Sequence, residues 1–173
     1  MNHRPSRVAA CILAHVVCLP LLAGCAGAKQ QRALAEKAKA KVAACKALGD
    51  QPFKRTGRCL VWDLEKDSLH SAHSLLDGSL KYDSGEGPVT VFLVSAKQKE
   101  QVGTYSVSHQ PGYREWVDVC VVQMSDANDP GTPVSAHEVV SLDPRKSRPV
   151  QHTPEVGDPA PPIAEWIRSL PAN

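Results

Sequence analysis

The run Val89-Thr90-Val91-Phe92-Leu93-Val94 restricts the architecture of this chain more than any other feature. A strand with one wet face alternates apolar and polar residues. A run this apolar and this short suits a strand covered on both faces. Asp83-Ser84-Gly85-Glu86-Gly87-Pro88 breaks the chain before it, and Lys97-Gln98-Lys99-Glu100 is the expected hairpin after it.

Other strand-length segments surround this one. Arg58–Leu64 follows a Thr56-Gly57 turn signal. Gln101–Ser108 alternates, and Tyr113–Met124 holds Trp116, Val117, Val119, Cys120, Val121 and Val122, reading as a buried strand. Val134–Leu142 sets Val134, Ala136, Val140 and Leu142 on one face, with Glu138 interrupting that face as at a sheet edge. Lys66–Leu76 reads as a short helix or loop, with Leu69, Ala72, Leu75 and Leu76 on one helical face. From Asp143 to Pro162 six prolines exclude a central strand and predict an extended surface wrap. Beyond it Ile163, Trp166, Ile167 and Leu170 recur at helical spacing, with proline at the start and Pro171 as the stop.

The amino-terminal part is different in kind. Arg4 and Arg7 precede the apolar run Val8–Leu22, which ends in Leu22-Ala23-Gly24-Cys25. A basic start, a short apolar stretch and a small-residue exit make a secretory signal rather than a spanning helix. The last four residues resemble the lipobox of bacterial lipoproteins. That resemblance covers only the leader. It implies cleavage before Cys25, a diacylglyceryl group on its thiol and acylation of the new amino terminus. Cys11 and Cys18 would leave with the leader. Ala26, a non-acidic residue after the cysteine, implies the outer membrane in a diderm host. An ordinary secretory leader cut near Ala23 is the competing reading.

Removing the leader leaves 149 residues, enough for one modest domain and a tether. The net charge of +2 falls to zero, because Arg4 and Arg7 are the only charges removed. Lys29, Arg32, Lys37, Lys39, Lys41 and Lys46 against Glu36 leave the segment 29–46 five positive, suited to anionic headgroups. The remainder is five negative, which argues against a nucleic-acid partner. Ala26–Leu48 is rich in helix formers and free of proline, with Gly49 placed to end the helix. Its apolar stripe is thin, so it reads as a solvated stalk whose last turns dock. Lys41 interrupts the seven-residue rhythm between Leu34 and Leu48 and weakens a coiled-coil reading.

Three thiols remain for an oxidising compartment: Cys45, Cys59 and Cys120. Sequence leaves three pairings open. Cys45–Cys59 is preferred, since it would staple the helix end to the first strand and leave Cys120 as a small core residue. His70 and His73, with Asp67 or Asp77 nearby, are the nearest approach to a metal site. Two imidazoles are too few for zinc, and their polar surroundings suit surface histidines. Cys120 with His109 or His137 has no feature that would lower the thiol pKa. Tyr82–Gly87 lacks the spaced oxygen ligands of a calcium loop. His109–Tyr113 with Trp116 is a candidate aromatic patch for a ligand or partner.

The expected fold is α+β: an antiparallel sheet of four to five strands, a C-terminal amphipathic helix and an N-terminal helical tether, with a small β-sandwich as the alternative. The expected division is a leader over 1–24, a lipid-anchored tether over 25–50 and a globular domain over 51–173. The expected role is non-enzymatic, with no cofactor: a binding or scaffolding domain held at a membrane through Cys25, with an envelope protein as its partner. The alternative is an envelope enzyme or a metal or small-ligand module.

Overall fold

The computed structural model describes residues 12–104, 111–143 and 157–173, of which 12–25 by their backbone alone. Residues 144–156 of the expected proline-rich wrap, residues 105–108 of the expected strand Gln101–Ser108, His109 and Gln110, and the first eleven residues lie outside the described part. Among the described residues no helix is long and apolar enough to cross a membrane.

The fold is α+β, with one six-stranded, mostly antiparallel sheet and helices on both faces. Its strands are β1 (Arg58–Asp63), β2 (Ser68–Leu69), β3 (Val89–Val94), β4 (Gln98–Thr104), β5 (Pro111–Met124) and β6 (Thr132–Leu142). β3 is buried along its whole length and lies between β1, its parallel neighbour, and β5, its antiparallel one. That position explains why its sequence has no wet face.

The expected hairpin at Lys97–Glu100 does not form. Val94 lies opposite Val119 and Gln98 opposite Trp116, so β4 continues β3 along the same edge of β5. Ser95-Ala96-Lys97 opposes only Val117-Asp118, one residue too many. This bulge is pinned by Ser95 N–H donating to the Asp118 carbonyl at 2.9 Å and Asp118 N–H donating to Ser95 Oγ at 2.9 Å.

β6 forms the far edge, as the interruption at Glu138 suggested. Its alternation slips at a bulge beside Val121 and Val122, so Val134 packs on one face and Ala136 on the other. Val139 and Ser135 are the residues it buries, and Val140 and Leu142 are only partly covered.

One face of the sheet carries α4 (Ala160–Ser169) and the short α3 (Ser71–Ser74). Ile163 and Ile167 of α4 are fully buried against Phe92, Val119 and their neighbours. Each such side chain stabilises the fold by about 1.5–3 kcal/mol. Lys66–Leu76 holds β2 and α3 instead of one helix, and Leu69 and Leu75 are exposed.

The other face carries α1 (Ile12–Lys39) and α2 (Val42–Leu48). A turn at Ala40-Lys41 divides the expected single helix, and Gly49 closes α2 with a left-handed φ of 68° and its N–H on the Cys45 carbonyl. The helical segment is no solvated stalk. Gly27, Gln31, Leu34, Ala35 and Ala38 are buried along one side of α1, and the last three pack on Leu60, Val91 and Leu93. Polar groups complete the docking. Arg32 and Lys39 both pair with Asp67, Lys37 donates to the Ala127 carbonyl, and Gln31 Nε2 donates to the Tyr82 carbonyl at 3.1 Å. Three of the cations expected to face headgroups are therefore spent on internal contacts.

Candidate functional site

The disulfide joins Cys45 to Cys120, with Cα atoms 5.6 Å apart, rather than Cys45 to Cys59. Alternation along the strands explains the correction. Cys120 faces the α1–α2 side of the sheet together with Cys45, whereas Cys59 faces the α3–α4 side. The sheet stands between Cys45 and Cys59. Cys59 is a fully buried free thiol, and burial pushes its pKa up to about 12. A thiol that stays protonated is a packing group and not a nucleophile. Cys120 is consumed by the disulfide, and His137 stands with Val119 on the opposite face from it.

His70 and His73 are not surface residues; both are buried. His70 Nδ1 accepts from Ala72 N–H at 3.1 Å and caps α3, and His73 Nδ1 accepts from Val61 N–H at 3.4 Å. Desolvation holds both rings below the ordinary histidine pKa. Their polar sequence neighbours disguised this, because α3 turns a single side of its one turn toward the sheet. Among the described residues no group of three or more His, Cys, Asp or Glu is placed to hold a metal ion.

Two further sequence candidates separate in space. Tyr113 and Trp116 differ in parity along β5 and project on opposite faces, each half-buried beneath a cation: Lys99 lies 5.1 Å from the Tyr113 ring and Arg114 4.8 Å from the Trp116 ring. Tyr82–Gly87 closes as a turn through Tyr82 O–H donating to the Gly85 carbonyl at 2.9 Å.

The constellation that sequence reasoning missed lies at the β6 edge. His137 stacks on the Trp166 indole, with centroids 4.4 Å apart and planes 16° apart, and Phe53 and Phe92 meet the same indole edge-on. His137 Nδ1 lies 3.0 Å from Asp50 Oδ2. An open hollow of about 490 Å³ adjoins the pair, lined by Lys46, Asp50, Asp118, Ala136, His137 and Glu138. Asp118 accepts from Gln98, and Glu138 pairs with Arg114, so both acids are already engaged. Among the described residues its lining is mostly ionisable, with one lysine, three carboxylates and the imidazole, a surface able to meet charged or polar groups. The signal was hard to read in sequence, since Asp50 and His137 are 87 residues apart.

No family model, no curated protein and no solved structure matches this chain.

Proposed function

We propose that this chain is an exported lipoprotein, cleaved before Cys25 and held by acyl chains on that thiol, which presents a protein-binding domain in the cell envelope. The observation that carries the reading is Leu22-Ala23-Gly24-Cys25 at the end of a basic-then-apolar leader. Two or more acyl chains give stable anchoring, at about 0.8 kcal/mol per buried methylene. The Cys45–Cys120 disulfide supports an oxidising compartment. With Ala26 after the lipid cysteine, the periplasmic face of the outer membrane is the preferred location in a diderm host. The hollow beside Asp50 and His137, with the half-buried aromatics of β5, supports a polar protein partner over a catalysed reaction.

Substitution Cys25→Ser tests the anchor. Wild type sediments with membranes and yields an N-terminal peptide carrying diacylglycerol, and the variant gains a soluble pool or keeps its uncut leader. A variant that is cut, still membrane-bound and free of any soluble fraction overturns the proposal. In-envelope crosslinking then identifies the partner, and capture of phospholipid alone removes the binding role.

A further inference from the structure

We propose that the domain has no tether and sits directly on the bilayer, with the first turn of mature α1 and the loop Asp83–Pro88 against the headgroups and the β6 edge facing away. This rests on the lipid anchor at Cys25. Among the residues of α1 whose burial is described, Gly27 is the first packed into the body, only two positions after that cysteine. Two residues of helix rise span about 3 Å. The headgroup region of a leaflet is roughly 5–8 Å deep, so whatever is fixed to the start of α1 lies at that depth.

The start of α1 is fixed on several sides. A Cβ on Gly27 would stand 3.1 Å from the Asp83 carbonyl oxygen, so helix and loop are in close contact. Gln30 exchanges two hydrogen bonds with Gly85, its Nε2 donating to the carbonyl at 2.8 Å and its Oε1 accepting from the N–H at 3.0 Å. Gln31 adds its bond to the Tyr82 carbonyl. The loop is braced from beneath by Tyr82, whose ring lies 5.1 Å under the Arg58 guanidinium. Neither partner is free to swing like a stalk.

Topology then sets the orientation. The loop borders β1, as the bridge between Cys59 and Lys81 shows. From there α1 crosses β3, and α2 ends over β5 and β6. β1 and β6 are three strand spacings apart, about 14 Å. In the proposed seating the recess beside Asp50 and His137 lies at the far edge of the sheet, removed from the loop that meets the lipid.

The test uses the full lipidated protein in phosphatidylethanolamine–phosphatidylglycerol vesicles carrying a nitroxide on the headgroup. A thiol-reactive fluorophore is placed by Glu86→Cys near the lipid or by Glu138→Cys at the far edge. Cys59 is buried and the other two thiols are paired, so the added thiol is the one that reacts. The proposal expects loss of emission at position 86 and none at 138, with the contrast abolished by eight glycine–serine residues inserted between Ala26 and Gly27. Equal quenching at both positions, or none at 86, overturns it. The mass of the N-terminal peptide from the same vesicles separates the two failures. Lipid present without contrast rejects the seating alone, and an unlipidated peptide rejects the anchor.

Discussion

Breaking the Cys45–Cys120 bond with a Cys45→Ala/Cys120→Ala double substitution gives the most quantitative test of the fold. The bond spans 75 residues of sequence, and the loop-closure relation assigns such a loop about 4.5 kcal/mol of stabilisation at 25 °C. The shorter Cys45–Cys59 loop would contribute about 3 kcal/mol by the same relation. For a chain near this length each kcal/mol moves the melting temperature by roughly 2–4 °C, so the double variant should melt roughly 10–15 °C lower. The assay is thermal and urea unfolding of the mature domain carrying Cys25→Ser, with peptide mapping of the unreduced protein. Cys59→Ala should keep the crosslink intact, because that thiol lies on the other face of the sheet. A crosslink lost in Cys59→Ala, or a double variant as stable as its parent, would refute the reasoning.

Two further outcomes follow, one from buried imidazoles and one from a close backbone approach. Burial holds His70 and His73 below their unfolded pKa near 6.5, so the unfolded chain binds the extra protons. Their contribution is complete above that pH and is lost as pH falls toward the folded pKa values, with a slope of at most about 1.4 kcal/mol per pH unit for each ring. His73→Gln should flatten the acid limb in urea titrations between pH 7 and 5, and an unchanged slope would count against burial of the neutral ring. Gly57 has a φ of 59°, and a Cβ there would lie 1.8 Å from the Pro88 carbonyl oxygen, which accepts the Arg58 N–H at the start of β1. Gly57→Ala should destabilise the domain by more than about 2 kcal/mol, read by urea midpoint, and a parental midpoint would contradict the close approach.

Local pattern carried much of this protein. The unbroken run Val89–Val94 dictated a strand covered on both faces, and the spacing of Ile163, Trp166 and Ile167 dictated a buried helical side. Gly49 after Leu48 ended α2 where a left-handed residue was needed. The proposed leader and anchor rest on an equally local pattern, Leu22-Ala23-Gly24-Cys25 after a basic start. Pairings across the sheet were not legible. Alternation says that Cys59 and Cys120 each point off a strand, but not that they point to opposite faces. One extra residue at Ser95-Ala96-Lys97 turned an expected hairpin into a continuation of β3, because a bulge changes register without any strong breaker. α1 looked solvated because half of what docks it is polar: Gln31, Arg32 and Lys39 meet carbonyls and Asp67, contacts that no hydrophobic period encodes. The histidine–carboxylate pair at the β6 edge likewise exists only once Trp166 and Asp50 arrive from opposite ends of the chain. Periodicity fixes which side of an element is apolar, and only long-range packing decides what that side, or a polar group beside it, finally meets.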